Sequence, residues 1–179
     1  MAEPISADSS VKNLMTSLFK MVMTGDWGSI VNHYYEDWSC HTQKITRSGD
    51  TALHVAVADG LEDTVKNLLE AISSRVGAEK LKTILRMKNV EGNTPLHIAA
   101  SMGSAAMCEE IAKHDLSLVG VKNSAGETPL FLAVQQGHKD AFLCLTEICG
   151  CQAGYQYCTR VSDGQTVLHS AISEQYFGE

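Results

Sequence analysis

Apolar residues along this chain recur at helical spacing in short bursts, each with a polar opening and a glycine stop. In residues 51–60 (TALHVAVADG), 94–103 (TPLHIAASMG) and 128–137 (TPLFLAVQQG), Leu and Ala stand three apart, as Leu53 and Ala56, Leu96 and Ala99, and Leu130 and Ala133. That spacing lines one face of a helix with about 3.6 residues per turn. Thr51, Thr94 and Thr128 stand where a hydroxyl caps the first turn, and Pro95 and Pro129 follow at the position where a missing N–H costs nothing. Gly60, Gly103 and Gly137 close the bursts, as a left-handed helix cap requires. A second amphipathic segment follows each stop, over 61–74, 105–114 and 139–149. The pattern predicts pairs of short helices joined by turns.

The blocks form a series. TVLHSAISEQ from Thr166 keeps Thr, Leu, His and Ala but has Gln175 in the glycine place, and TSLFKMVMTG from Thr16 keeps Thr, Leu and Gly with Met21 in the Ala place. Thr-to-Thr spacings run 35 from Thr16 to Thr51, then 43, 34 and 38, around a base period of about 34, which marks a repeat architecture. Gly49, Gly92, Gly126 and Gly164 each stand two residues before the Thr, the signature of a turn feeding a capped helix. Residues 1–13 read as a tail, and 14–179 as a single domain of about five units, the last incomplete. Trp27 to Tyr35 and Trp38 read as the second helix of unit one, its aromatics covering the end of the stack. Units two and four carry insertions around Ser74 to Leu85 and Cys149 to Cys158, either loops on one face or longer helices.

GNTPLHIAASMG and GETPLFLAVQQG resemble the core of the ankyrin repeat, and units in the same register span nearly the whole chain from Leu14. The resemblance implies an all-α solenoid of stacked antiparallel helix pairs joined by β-hairpin-like fingers. The long units and the Gly25-Asp26-Trp27 step further resemble a plant subset, in which the array precedes a multi-span membrane domain named for a Pro-Gly-Gly motif; no such motif occurs here. Unit five stops after one helix, so the parent protein is expected to continue past Glu179.

Composition narrows the function classes. The 179 residues are 44% hydrophobic, too apolar for general disorder, and carry a formal charge of -7, which repels a phosphate backbone. Nucleic acid is not an expected partner. No apolar run approaches the roughly 18 residues of a membrane span, and the first residues lack a signal peptide's basic start and apolar core. The expected location is cytoplasmic, or the cytoplasmic face of a membrane. Six cysteines without a regular framework fit a reducing compartment.

Candidate chemistry is sparse. His54, His97 and His169 share one place in the unit, so they lie in a row rather than around an ion, and each is expected to hydrogen-bond the next finger's backbone. Phe131 stands in that place in unit four. Cys144, Cys149, Cys151 and Cys158 are the only dense thiol cluster; they are read as buried small hydrophobes with one or two exposed thiols, with zinc and redox control as alternatives against the poor spacing. No catalytic triad, phosphate loop or dinucleotide fingerprint stands out, so neither an enzyme nor a cofactor is expected. The variable positions are better candidates. At the fingers these are Arg47, Asp50, Asn89, Glu91, Asn93, Asn123, Glu127, Asp163 and Gln165, with Ser48, Ser124 and Ser162 beside them. At the ends of the first helices they are Asp59, Ser101, Met102, Gln135 and Gln136, with Ala58. The resemblance puts both sets on the concave side, where they would bind a protein partner or the missing C-terminal part of the same protein, Met102 serving as an apolar anchor and the carboxylates favouring a basic or polar peptide. It implies a recognition module or adaptor, or alternatively the regulatory domain of a membrane protein in transport or stress and immune signalling. Reversing Glu91 and Glu127 together is expected to weaken binding without changing stability.

Overall fold

The first turn of each inner helix explains where the elements begin. Thr51, Thr94 and Thr128 are extended N-caps, and Thr128 Oγ1 accepts the Phe131 N–H at 3.2 Å. The computed structural model describes the backbone of residues 7–150 and the side chains of 12–150. Its helices are α1 Ala7–Thr24, α2 Trp27–Glu36, α3 Ala52–Ala58, α4 Glu62–Arg75, α5 Ala78–Leu85, α6 Pro95–Met102, α7 Ala105–Ala112, α8 Pro129–Gln135 and α9 Lys139–Cys149. Short 3₁₀ turns follow at Trp38–Thr42 and Leu116–Gly120. There is no strand among the described residues.

Helices α1, α3, α6 and α8 make the inner layer, beside the fingers, and α2, α4, α7 and α9 the outer layer, since each packs on its successor in the same layer and on its partner across the unit. Between them lies a continuous core: Leu53, Leu68, Leu96, Ile111, Leu130 and Leu145 are fully buried. Each unit's apolar stripe is covered by its neighbours, which is why one unit could not stand alone.

Three elements differ from the sequence reading. Helix α1 is already formed at Ala7, the first described residue, rather than opening at Thr16; Thr16 sits inside it, its Oγ1 donating to the Lys12 carbonyl at 2.8 Å instead of capping a new helix. Trp38 leaves α2 for the 3₁₀ turn, because Asp37 caps that turn by accepting the Ser39 N–H at 2.8 Å. The buried aromatic of unit one is Tyr34, whose ring lies 4.9 Å from that of buried His41; Trp38 is exposed, with the Lys80 ammonium 3.5 Å over its ring. The insertion after Ser74 folds as α5, a separate helix burying Leu81, Ile84 and Leu85. Unit five and the Cys149–Cys158 insertion beyond Gly150 lie outside the described residues.

Candidate functional site

The fingers are built from backbone first. Each closes on a crossing pair of hydrogen bonds, such as Asn89 N–H to Asn93 O at 3.0 Å with Gly92 N–H to Asn89 O at 3.0 Å. Adjacent fingers join through Val90 N–H to Ser48 O at 2.8 Å and Ser124 N–H to Glu91 O at 3.0 Å. Gly92 holds φ +78°, and a Cβ there would lie 2.5 Å from Ser124 N, so the stack needs glycine twice over. A lysine rung reinforces it: Lys44 Nζ donates to Lys88 O at 2.8 Å, and Lys88 Nζ to Lys122 O at 2.6 Å.

Histidines pin fingers to helices as the repeat pattern implies. His97 Nδ1 accepts the Thr94 N–H at 3.2 Å, and Nε2 meets Glu127 O, in the next finger, at 3.1 Å. His54 does the same with Thr51 at 3.3 Å and Asn93 O at 3.2 Å. A carbonyl can only accept, so Nε2 carries the proton and Nδ1 does not. Burial pushes His97 down to about 4 and His54 also below its ordinary value, against the pull of those carbonyls. Both rings are neutral structural links. His169 lies outside the described residues.

Where fingers meet inner helices, a groove of about 490 Å³ opens between units two and three. Its wall carries Thr46, Ser48, Asp50, Asn89, Glu91 and Asn93; its floor carries Val55, Ala58, Ile98, Ser101 and Met102. Two carboxylates and no Lys or Arg line it. Asp50 takes hydrogen bonds from Thr46 Oγ1 at 2.8 Å, Ser48 Oγ at 2.5 Å and Asn89 Nδ2 at 2.9 Å. Burial pushes its carboxyl up, but the donors Ser48, Asn89 and Thr46 outweigh this and hold it below the usual range, so Asp50 is ionised.

The groove gathers six of the expected partner-facing residues: Asp50, Asn89, Glu91, Asn93, Ser101 and Met102. Arg47 and Asp59 are exposed outside its lining; Gln135 and Gln136 end α8 in unit four. Asp163 and Gln165 lie outside the described residues. Besides Asp50, and Asn93, whose Oδ1 accepts from Asn123 Nδ2 at 3.0 Å, three more of the fourteen have work inside the fold. Asn89 Oδ1 accepts the N–H groups of Glu91 and Asn93 at 3.1 and 3.0 Å, and Asn123 Oδ1 those of Ala125 and Glu127 at 3.0 and 2.9 Å. Glu127 is buried and accepts from Asn123 Nδ2 at 3.0 Å, so reversing its charge would disturb the finger as well as any contact. The floor residues Val55 and Ile98 were missed from sequence, though each is an apolar residue on the side of its helix opposite the Leu stripe.

Cys40 and Cys108 are buried, and burial pushes their thiols up to about 11 and about 12. Cys144 is likewise raised by burial, its Sγ 3.5 Å from Ala105 O; Cys151 and Cys158 lie outside the described residues. Among the described residues, no group of three or more His, Cys, Asp or Glu converges on a point, and no helix is long and apolar enough to cross a membrane.

The family profile described as ankyrin repeats, in three copies, matches residues 17–118 and 71–157. The chain belongs to the ankyrin-repeat family. Its repeats make it a protein–protein interaction module. The probable 26S proteasome regulatory subunit p28 of Saccharomyces cerevisiae is 35% identical over 132 residues, 74% of this chain and 52% of that protein. An ankyrin repeat-containing protein of Arabidopsis thaliana is 37% identical over 97 residues, 54% of this chain and 18% of that one. The chain thus spans about half the length of the yeast relative and less of the plant one. Among solved structures, a chain from the yeast ribosomal protein Rps3 in complex with its chaperone Yar1 superposes with a TM-score of 0.63 at 26% identity, covering 78% of this chain and 92% of that one. The ankyrin register makes Val55 equivalent to Ile98, and Ala58 to Ser101, so the groove floor is one repeated surface seen twice.

Proposed function

We propose that this ankyrin domain is a non-enzymatic adaptor that recognises a protein partner through its concave face, centred on the groove between units two and three. The observation that carries the reading is the division of labour there. Asn89, His54 and His97 satisfy the fingers and helix starts internally, while Glu91 and Met102 remain exposed on an open surface with an apolar floor. An exposed Met beside half-buried Val and Ile offers area that a partner can desolvate, the ordinary source of interface affinity. The yeast relative is named as a proteasome subunit, and the structural neighbour comes from a chaperone complex; both settings are protein assemblies. No cofactor enters this function, and the cytoplasm is its proposed setting.

Affinity capture with the intact chain tests the reading. Asp59→Lys combined with Glu91→Lys reverses two exposed charges at and beside the groove, and is expected to weaken the captured native partner by at least about tenfold with thermal unfolding unchanged. Undiminished binding would contradict it. A second reading, a regulatory array within a plant membrane protein, is favoured by the match to a much longer Arabidopsis protein. Several hydrophobic spans in the full open reading frame would support it; their absence would remove it.

A further inference from the structure

We infer that the segment taken up by the groove is basic and apolar-anchored: a stretch of a protein partner in which Lys or Arg stands close to a Leu, Phe or Met. This rests on the groove being the recognition face. The carboxylates differ in what each has left to offer a partner. Asp50 already accepts from three donors, two on Oδ2 and one on Oδ1, so it contributes mainly as a fixed negative charge at the wall, with one acceptor position on Oδ1 left open. Glu91 is exposed and held only through Oε2, by Asn93 Nδ2 at 2.9 Å, which leaves it able to pair with an incoming cation. Asp59 adds a second exposed carboxylate at the C-terminal end of α3, where the helix dipole also favours positive charge. No Lys or Arg lines the groove, and although Arg47 is exposed beside it, an anionic segment would meet net repulsion from Asp50, Glu91 and Asp59.

The apolar half of the match comes from Met102, half exposed on the last turn of α6, above Ile98 and Val55. An unbranched Met adapts to different apolar side chains, so it provides an anchor without demanding one shape. The ankyrin register sets the limit of the acidic stretch. Met23, strongly exposed in α1, holds the place of Ala58 and Ser101 and extends the apolar row, but Lys20 holds the place of Val55 and Ile98. The partner's cation therefore belongs over units two and three, and its apolar flank can run on towards unit one.

The probe is a short fluorescein-labelled leucine–lysine amphipathic peptide, read by anisotropy on the intact chain, with a leucine–glutamate peptide as comparison. The leucine–lysine peptide is expected to bind, more weakly as salt rises, and to lose about fivefold on Asp59→Asn with Glu91→Gln. Met102→Ala is expected to cost about fivefold as well. Neutralising Asp63 and Glu70 on the outer helix α4 gives the same net charge, and Leu116→Ala removes an exposed apolar residue elsewhere; each should leave affinity within about twofold. No binding of the leucine–lysine peptide, or an equal loss in the α4 variant, overturns the inference, the second outcome exposing attraction to overall charge alone. Binding of the leucine–glutamate peptide with the same Met102 dependence also overturns it, yet leaves the recognition face in place.

Discussion

At the residue scale, His97 couples a helix start to the next finger, and its chemistry makes that joint sensitive to pH. Its folded value near 4 lies well below the ordinary histidine value, so the folded state favours the neutral ring. The stabilisation is fully present above pH ~6.5 and is lost as pH falls towards about 4, where the unfolded chain binds the extra proton; the maximum effect is about 3 kcal/mol. His97→Phe, which copies the residue at position 131, is expected to cost about 1 kcal/mol at pH 7 and to flatten the dependence of urea stability between pH 6.5 and 4.5. Asn89 tests the finger itself. Replacing it by Ala removes acceptance of two backbone N–H groups and is expected to cost about 1–3 kcal/mol, against nearly nothing for Glu91→Ala in the same denaturation assay. The histidine role was legible because His54, His97 and His169 occupy one place in the unit. The asparagine role was not: an Asn at a variable fingertip looks the same in sequence whether it faces a partner or caps its own turn.

At the element scale, stacking of the fingers is the feature least tolerant of change. Gly92→Ala would force a left-handed backbone on Ala and drive its Cβ against Ser124 N, whereas Gly60, at φ +71°, has no atom within 4 Å of the equivalent position. Both substitutions carry the left-handed penalty of roughly 1–2 kcal/mol, and only Gly92→Ala adds displacement of a neighbouring backbone. The denaturation midpoint should therefore fall further for Gly92→Ala; equal losses would show that the fingers can separate. Helices headed by Thr-Pro-Leu or Thr-Ala-Leu were readable because cap, stripe and stop all agreed. Helix α1 was not, since Thr16 matches the capping Thr of the later units in sequence, whereas its hydroxyl donates back to the Lys12 carbonyl inside a helix already formed at Ala7. Helix α5 carried its own stripe in Leu81, Ile84 and Leu85, but a length departure from the period says only that residues are added, not how they fold.

At the scale of the whole molecule, the proposed recognition face and the buried core that holds the array together use different surfaces. Leu96 is fully buried between the layers, and Leu96→Ala is expected to cost about 2–5 kcal/mol, transmitted to units on either side because each interface supports the next. A binding loss from that change would report unfolding, so recognition has to be located on residues the core does not use. Hydrogen exchange on the intact chain, with and without the native partner it captures, makes this distinction most directly. Binding is predicted to slow exchange in residues 46–50 and 89–93 and at the C-terminal ends of α3 and α6, while α4 and α7 in the outer layer stay unchanged. Protection concentrated on α4 and α7, with the finger segments unaffected, would contradict the account.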